Sequence, residues 1–289
     1  MWYGQFVIGP PGAGKTTYCH GMQQMFTALN RKHAIINLDP ANDELPYKCF
    51  IDIRNLINSQ NVMESMQLGP NGDTYIVFDC PGQVELYCHH TGMKTILDNL
   101  QKQDARMAAV HLVDSTLCTD PYKYISALLI SLSGQISLEL PHVNVFTKID
   151  MLQNFSRDLT FRIDYYAEVQ DLSKLISYMQ QSSPLNSRFS AFNELLCETI
   201  EDFNLVAFRL LNIEDKDSVL NVLKEVDTAN GFALGSIHSD LGIFNIAISS
   251  VDDIDDRFGS IHERYIDVEE SNNENVEEKP SLSESKRIL

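Results

Sequence analysis

The chain reads as an α/β domain of three layers, a mostly parallel central sheet with helices on both faces. Three features predict this. Short β-rich runs alternate with longer helical patterns. Four of the apolar runs end in a polar residue, at Asp39, Asp79, Asp114 and Lys148. A glycine-rich turn joins the first run to the first helix, and ligands of open α/β sheets gather at such carboxyl ends.

Strands are expected at 5–9, 34–39, 74–79, 108–114, 143–148 and 205–210. Helices are expected at 15–29, 52–67, 92–103, 121–137, 168–181, 188–202 and 215–229. With 289 residues, 44% of them apolar, the chain can bury a large core. The main domain is expected over 1–233, helical insertions included, followed by a weakly patterned extension at 234–266. Residues 267–289 are acid-rich and poor in aromatics, the composition of a disordered tail.

The net charge of −18 argues against direct nucleic-acid binding, which needs clustered Lys and Arg. Cys19, Cys49, Cys80, Cys88, Cys118 and Cys197 form no CxxC pair. That pattern suits reduced thiols in the cytosol or nucleus rather than a zinc framework. No leader, cleavage site or membrane-spanning apolar run can be read, so a soluble intracellular protein is expected.

Gly9-Pro10-Pro11-Gly12-Ala13-Gly14-Lys15-Thr16 fits the pattern G-x-x-x-x-G-K-[ST], with an apolar run before it and a helical pattern after it. Glycines let the backbone curl so that several N–H groups face one anion, here through Gly12, Ala13 and Gly14. The following helix turns its positive end to the same phosphates, with Thr17 in its first turn. Lys15 is expected to reach the β- and γ-phosphates, and the Thr16 hydroxyl to ligate Mg²⁺. The plain alternative is a glycine-rich turn opening an ordinary helix. The strand and helix context favours a phosphate-loop nucleoside triphosphatase.

Residues 79–83 read DCPGQ. Asp79 would hold Mg²⁺ through water, the Gly82 N–H would meet the γ-phosphate, and Gln83 is placed to orient the attacking water. A strand-ending turn also explains Asp and Pro-Gly. Glu85 either shares the water positioning or is a solvated charge. Asp39, in LDPAN, could hold metal-bound water or take a proton from the attacking one; it could also simply cap a turn. His89 and His90 have no partner ligands at metal spacing and read as structural or solvated. Cys80 reads as a small residue packed near phosphate.

Thr147-Lys148-Ile149-Asp150 follows the run VNVF. Guanine presents N1–H and N2–H₂ donors on one edge, and one carboxylate at Asp150 can accept both. The Lys148 stem can lie over the ring. Such motifs usually begin with Asn, and Thr147 departs from that. The loop around Leu211 and Asn212 could offer backbone N–H groups to the guanine carbonyl.

Together with LGPNG at 68–72, these residues resemble the GPN-loop GTPases. The resemblance runs from Gly4 to about Phe232 through INLDPAN, FDCPGQVEL, AVHLVDS, ELPH, TKID, LNIEDK and VDTANGF. It implies a homodimer, or a heterodimer with a paralogue, whose nucleotide sites face each other. The loop Gly69-Pro70-Asn71 would then reach the partner's site, with Asn71 near the γ-phosphate. Asp39, Gln83 and Glu85 match the family's metal- and water-positioning residues. The resemblance also implies a role in assembly and nuclear import of RNA polymerase II, with cytoplasmic residence and shuttling to the nucleus.

One departure stands out. Family members carry a helical segment between the Gly-Pro-Asn loop and the strand ending in DCPGQ. Here only Gly72 to Phe78 intervene. If 74–79 is the strand, Asn71 is expected on the order of 25 Å from Asp79. Either the loop has left the catalytic face or the strand is displaced.

The leading expectation is hydrolysis of Mg²⁺-bound GTP to GDP by in-line attack of water. A second is a scaffold whose GTP binding shapes an interaction surface while hydrolysis is slow. A third, a nucleotide kinase, is opposed by Gln83, Asp150 and the scarcity of Arg in the phosphate-loop half.

Overall fold

The computed structural model describes residues 2–42, 44–56, 74–169, 171–182 and 189–232. Its sheet has seven strands: β1 (Trp2–Ile8), β2 (His33–Asn37), β3 (Ile51–Asp52), β4 (Tyr75–Asp79), β5 (Ala105–Asp114), β6 (His142–Thr147) and β7 (Phe208–Leu210). The order is β3-β2-β4-β1-β5-β6-β7, and every pairing is parallel. The longer helices are α1 (Lys15–Ala28), α4 (Thr91–Gln101), α5 (Pro121–Leu138), α7 (Leu172–Ser182), α8 (Ser190–Phe203) and α9 (Lys216–Ala229). Short α2 (Ile53–Leu56), α3 (Glu85–Cys88) and α6 (Ile163–Ala167) complete the set.

The central strands are apolar without alternation because helices cover both of their faces. Phe6, Val7, Ile8, Val77, Val110, Val145 and Phe146 are all fully enclosed. Tyr18, Met22 and Phe26 of α1 meet Val219, Val222 and Val226 of α9 over one face. Met93 and Leu97 of α4 join Phe6, Ile76 and Phe78 over the other.

Strand ends differ from expectation by a residue or a few. β2 stops at Asn37, because the Asn37 side chain turns the chain by accepting from Asp39 N–H at 3.1 Å. Asp39 therefore lies in a turn beyond the strand. β3, β7, α3 and α6 are too short for periodicity to show, and only β7 was anticipated. α7 begins at Leu172, four residues later than the pattern suggests. The expected helix 52–67 is described only as α2. Its remainder, the Gly69-Pro70-Asn71 loop, the 234–266 extension and the 267–289 tail lie outside the described residues.

The register fixes which ends coincide. Asp79 pairs with Val7 on one side and Asn37 on the other, so it stands at the carboxyl edge. Tyr75 pairs with Tyr3 and His33 at the amino edge. β4 is thus in its proper place, and the displaced-strand alternative is ruled out. Among the described residues, no helix is long and apolar enough to cross a membrane.

His111 of β5 and His142 of β6 lie with ring centroids 6.3 Å apart and ring nitrogens buried. Burial drives His111 down to about 3, with His142 adding to it, and drives His142 down to about 4. Both stay neutral in the fold, while the unfolded chain takes up their protons below about 6.5. Stability should be insensitive to these groups above that pH and fall as the solution is acidified. By pH 5.5 the loss is roughly 1.4 kcal/mol for each. Urea midpoints at pH 7.5 and 5.5 should converge in a His111→Gln, His142→Gln double variant relative to the unaltered chain.

Candidate active site

The phosphate loop occupies residues 9–16, between β1 and α1. Its first glycine meets a hard steric limit. Gly9 has φ +146°, and a Cβ there would come within 2.4 Å of the Leu112 carbonyl oxygen on β5. Only glycine lets the chain leave β1 so close to its neighbour. Pro10 O accepts from Ala13 N–H at 3.2 Å, which closes the curl. Gly14 then precedes α1 in a left-handed conformation, φ 88° and ψ 23°.

Lys15 is buried, and its Nζ donates to Gly9 O at 3.1 Å and Pro10 O at 3.2 Å. Burial lowers its pKa, against the pull of Asp79 and Asp39. The amine therefore rests among carbonyls, within the loop whose N–H groups would meet phosphate. Gly82 passes directly alongside: a Cβ there would lie 2.9 Å from Lys15 Nζ and 3.2 Å from Pro11 Cα. The second loop thus packs against the first, and a side chain at Gly82 would crowd the Lys15 amine. Thr17 is exposed in the first turn of α1, and Gln83 and Glu85 are also exposed. Glu85 sits in the first turn of α3, where a carboxylate suits the helix end, so its plain role has a physical cause.

Asp79 is fully buried. Its Oδ2 accepts from the Tyr47 hydroxyl at 2.8 Å, while Oδ1 is buried without a partner. Thr16 stands near enough to pull Asp79's pKa down, yet completes no hydrogen bond to Oδ1. Burial nevertheless raises that pKa, against Tyr47, Thr16 and Lys15. A buried carboxylate oxygen with no donor is costly unless a cation or its water shell is its partner. Thr16 Oγ1 accepts from Asn42 Nδ2 at 3.2 Å. Asp39 uses one oxygen to accept from Ala41 N–H at 2.9 Å, capping its turn. Among the described residues no cluster of three His, Cys, Asp or Glu could hold a metal. One carboxylate and one hydroxyl instead fit Mg²⁺, which completes its shell with phosphate oxygens and water.

Behind this edge runs a network the sequence did not disclose. Asn37 Nδ2 donates to Asp52 Oδ1 at 3.2 Å and to Asp39 O at 3.0 Å. Arg54 grips both oxygens of Asp52 through Nε, at 3.0 and 2.9 Å, and donates to Asn42 O. The connection between β2 and β3 is thereby fastened to both Thr16 and the sheet edge. Nothing periodic marks Asn42, Tyr47 or Arg54. The one available signal was their proximity in sequence to Asp39.

On the other side of β1, Thr147 stands where β6 ends. Its buried hydroxyl lies 2.9 Å from Ala13 O and 3.2 Å from Val113 O. It ties the base side to the phosphate loop, a task a short hydroxyl can perform in place of an amide. Lys148, at φ 59°, forms a 2.7 Å ion pair with Asp114. Burial works to raise Asp114, but Lys148 and Thr116 together hold its pKa below the usual carboxylate value. The pair lays the lysine stem across the end of β5. Ile149 is buried, and Asp150 is exposed beside it, open to a base. The expectation for Leu211 and Asn212 does not hold. Leu211 N–H donates to Phe146 O at 2.8 Å and Asn212 N–H to Ser218 Oγ at 3.0 Å, so neither faces a ligand. Cys80 is buried, and burial pushes its thiol well up, which suits packing rather than nucleophilic attack. His89 and His90 are exposed at the end of α3.

Fold and site together define a phosphate-loop nucleoside triphosphatase. A family model described as "conserved hypothetical ATP binding protein" matches residues 7–75 and 72–232. GPN-loop GTPase 2 of Danio rerio is 46% identical over 259 residues, covering 81% of this chain and 83% of that protein. GPN-loop GTPase QQT1 of Arabidopsis thaliana is 42% identical over 297 residues, covering 93% and 99%. GPN-loop GTPase 2 of Saccharomyces cerevisiae is 40% identical over 308, covering 93% and 88%. The chain belongs to the GPN-loop GTPases, and GTPase is its class of activity.

A crystal structure of a GTPase in apo form from Pyrococcus abyssi shares the fold, with TM-score 0.58 at 20% identity. It covers 79% of this chain and 97% of that one. The family description and the relatives' names disagree on the base. A carboxylate at Asp150 matches the paired donors of guanine and meets no such pair on adenine, so the chemistry sides with guanine.

Asp150→Asn exchanges one acceptor for a donor, which matches the carbonyl of xanthine instead. GTP affinity should fall roughly a hundredfold while XTP becomes the better ligand. Competition against a fluorescent nucleotide would check this, with equal loss of both ligands counting against base contact by Asp150.

Proposed function

We propose that the chain is a Mg²⁺-dependent GTP hydrolase that works as a nucleotide-controlled assembly factor. The observation that carries the hydrolytic part is the convergence of Lys15, Thr16, Asp79 and Gly82 at one sheet edge. Thr16 and Asp79 would hold Mg²⁺, which neutralises charge on the β- and γ-phosphates when bound. Lys15 would leave the carbonyls of Gly9 and Pro10 for the phosphate oxygens. Gln83 and Asp39, on the two loops flanking that point, and Glu85, in the first turn of α3, would orient a water in line.

Family membership supports the remaining parts of the reading: a dimer with a second copy or a paralogue, and service to RNA polymerase II assembly and nuclear import. Cytoplasmic residence with passage to the nucleus follows from that role. The strong negative charge suits contact with a basic protein surface better than with nucleic acid.

A second reading has its own support. The family model breaks at residues 72–75, directly after Gly69-Pro70-Asn71. The alignment with the Arabidopsis relative spans 297 positions while this chain has 289 residues and contributes 93% of them. A run of that relative therefore has no counterpart here. Tyr75, four residues after Asn71, lies at the amino edge of the sheet, opposite the nucleotide edge. On this reading GTP binding shapes a surface and turnover is slow.

Single-turnover assays separate the two. Hydrolysis by the leading reading releases phosphate from GTP alone, requires Mg²⁺, and drops about a hundredfold in Gln83→Leu. If Asn71 plays no part, Asn71→Ala leaves the rate unchanged. A rate as fast as that of the full-length relatives, abolished by Asn71→Ala, would defeat the scaffold reading. Transfer to an added acceptor nucleotide would defeat both in favour of a kinase.

A further inference from the structure

We infer that Tyr47 is a positioning residue for the metal carboxylate: its phenol clamps one oxygen of Asp79 and so leaves the other for the Mg²⁺ shell. The inference rests on the Mg²⁺–GTP reading above and assigns a task to a residue outside every motif. Tyr47 comes from the connection between β2 and β3, far from Asp79 in sequence. Its hydroxyl nevertheless lies 2.8 Å from Asp79 Oδ2, and both residues are buried, at 5% and 0% exposure.

The geometry distinguishes this contact from ordinary packing. A carboxylate has two equivalent oxygens and is free to turn about its last bond. At Asp79 one oxygen is fixed by Tyr47, and the other is buried with no donor. Lys15, the nearest cation, spends its hydrogen bonds on Gly9 and Pro10 rather than on Asp79. The orientation of the carboxylate thus depends on the phenol.

The same connection reaches the other metal-side group. Asn42 donates to Thr16 Oγ1 at 3.2 Å, and Arg54 holds Asn42's carbonyl. One segment therefore touches the two side chains best placed for Mg²⁺, Asn42 on the hydroxyl and Tyr47 on the carboxylate. Tyr47 also packs with Tyr18, Cys19 and Met22 in the core, which fixes its ring.

The test is Tyr47→Phe, which keeps the ring and removes the hydroxyl. Binding of a fluorescent GDP is measured in EDTA and across a Mg²⁺ titration. The expected result is an unchanged affinity in EDTA and a half-saturating Mg²⁺ concentration raised about tenfold, the effect of one hydrogen bond to a charged group. Tyr47→Leu, which also removes the ring, should by contrast weaken binding in EDTA as well. Equal weakening of Tyr47→Phe with and without Mg²⁺ would reduce Tyr47 to a packing residue and overturn the inference. An unchanged Mg²⁺ titration in Tyr47→Phe would overturn it too. If the unaltered chain binds GDP with no dependence on Mg²⁺, the Mg²⁺ reading itself falls, and the two failures are told apart.

Discussion

The nucleotide end of this molecule depends on how close the backbone can come to itself. Gly9 passes against the Leu112 carbonyl, and Gly82 passes against Pro11 and the Lys15 amine. These contacts set the end of β1 against β5 and the DCPGQ loop, which follows β4, against the Lys15 amine. With a side chain at Gly9 the phosphate loop would have to lift from β5, and with one at Gly82 the Lys15 amine would have to give way. The buried Lys15 is tolerable because carbonyls of its own loop accept its protons, as buried charge demands.

From that constraint the site divides into a metal side and a base side, joined by hydroxyls rather than by charge. Thr147 links β6 to Ala13, and Tyr47 links the β2–β3 connection to Asp79. Ser115 adds a third link by donating to Lys148 O at 3.1 Å. Hydroxyl bonds of this kind are short and directional, and cost little desolvation compared with an ion pair. They hold the groups they touch in place without neutralising them, and at Asp79 the second carboxylate oxygen stays free of any donor.

The parts legible in the sequence were those with a local cause. The phosphate loop was readable because glycine spacing follows from the curl itself. α1, α5 and α9 were readable because their apolar faces repeat over several turns, and the Asp-Pro of Asp120 and Pro121 opens α5 with a side-chain cap. Asp39 was misplaced onto a strand because its own turn starts two residues earlier, with Asn37. β3 has two residues and α3 four, too few for any period to register. Asn42, Tyr47 and Arg54 were missed for a different reason. The partners of Asn42 and Tyr47, Thr16 and Asp79, lie 26 and 32 residues away and meet them only in the folded sheet, while Arg54 grips Asp52 two residues back, a local pair that no periodicity marks. Leu211 and Asn212 were misread because a backbone N–H looks available until the strand beside it is known.

The Gly-Pro-Asn segment brings these lines together. The alignments with the Arabidopsis and yeast relatives, at 297 and 308 positions, extend past this chain's 289 residues. A shorter connection could have been absorbed by β4 slipping in register. The pairings of Tyr75 with Tyr3 and His33, and of Asp79 with Val7 and Asn37, show that it was not. A slip of one residue would have turned Val77 and Asp79 to the opposite faces and taken the carboxylate from Tyr47. Burial of every residue in β4 makes that exchange far too costly. β4 therefore keeps its register from Tyr75 onward, and Lys15, Thr16, Asp79 and Gly82 stay together at the carboxyl edge.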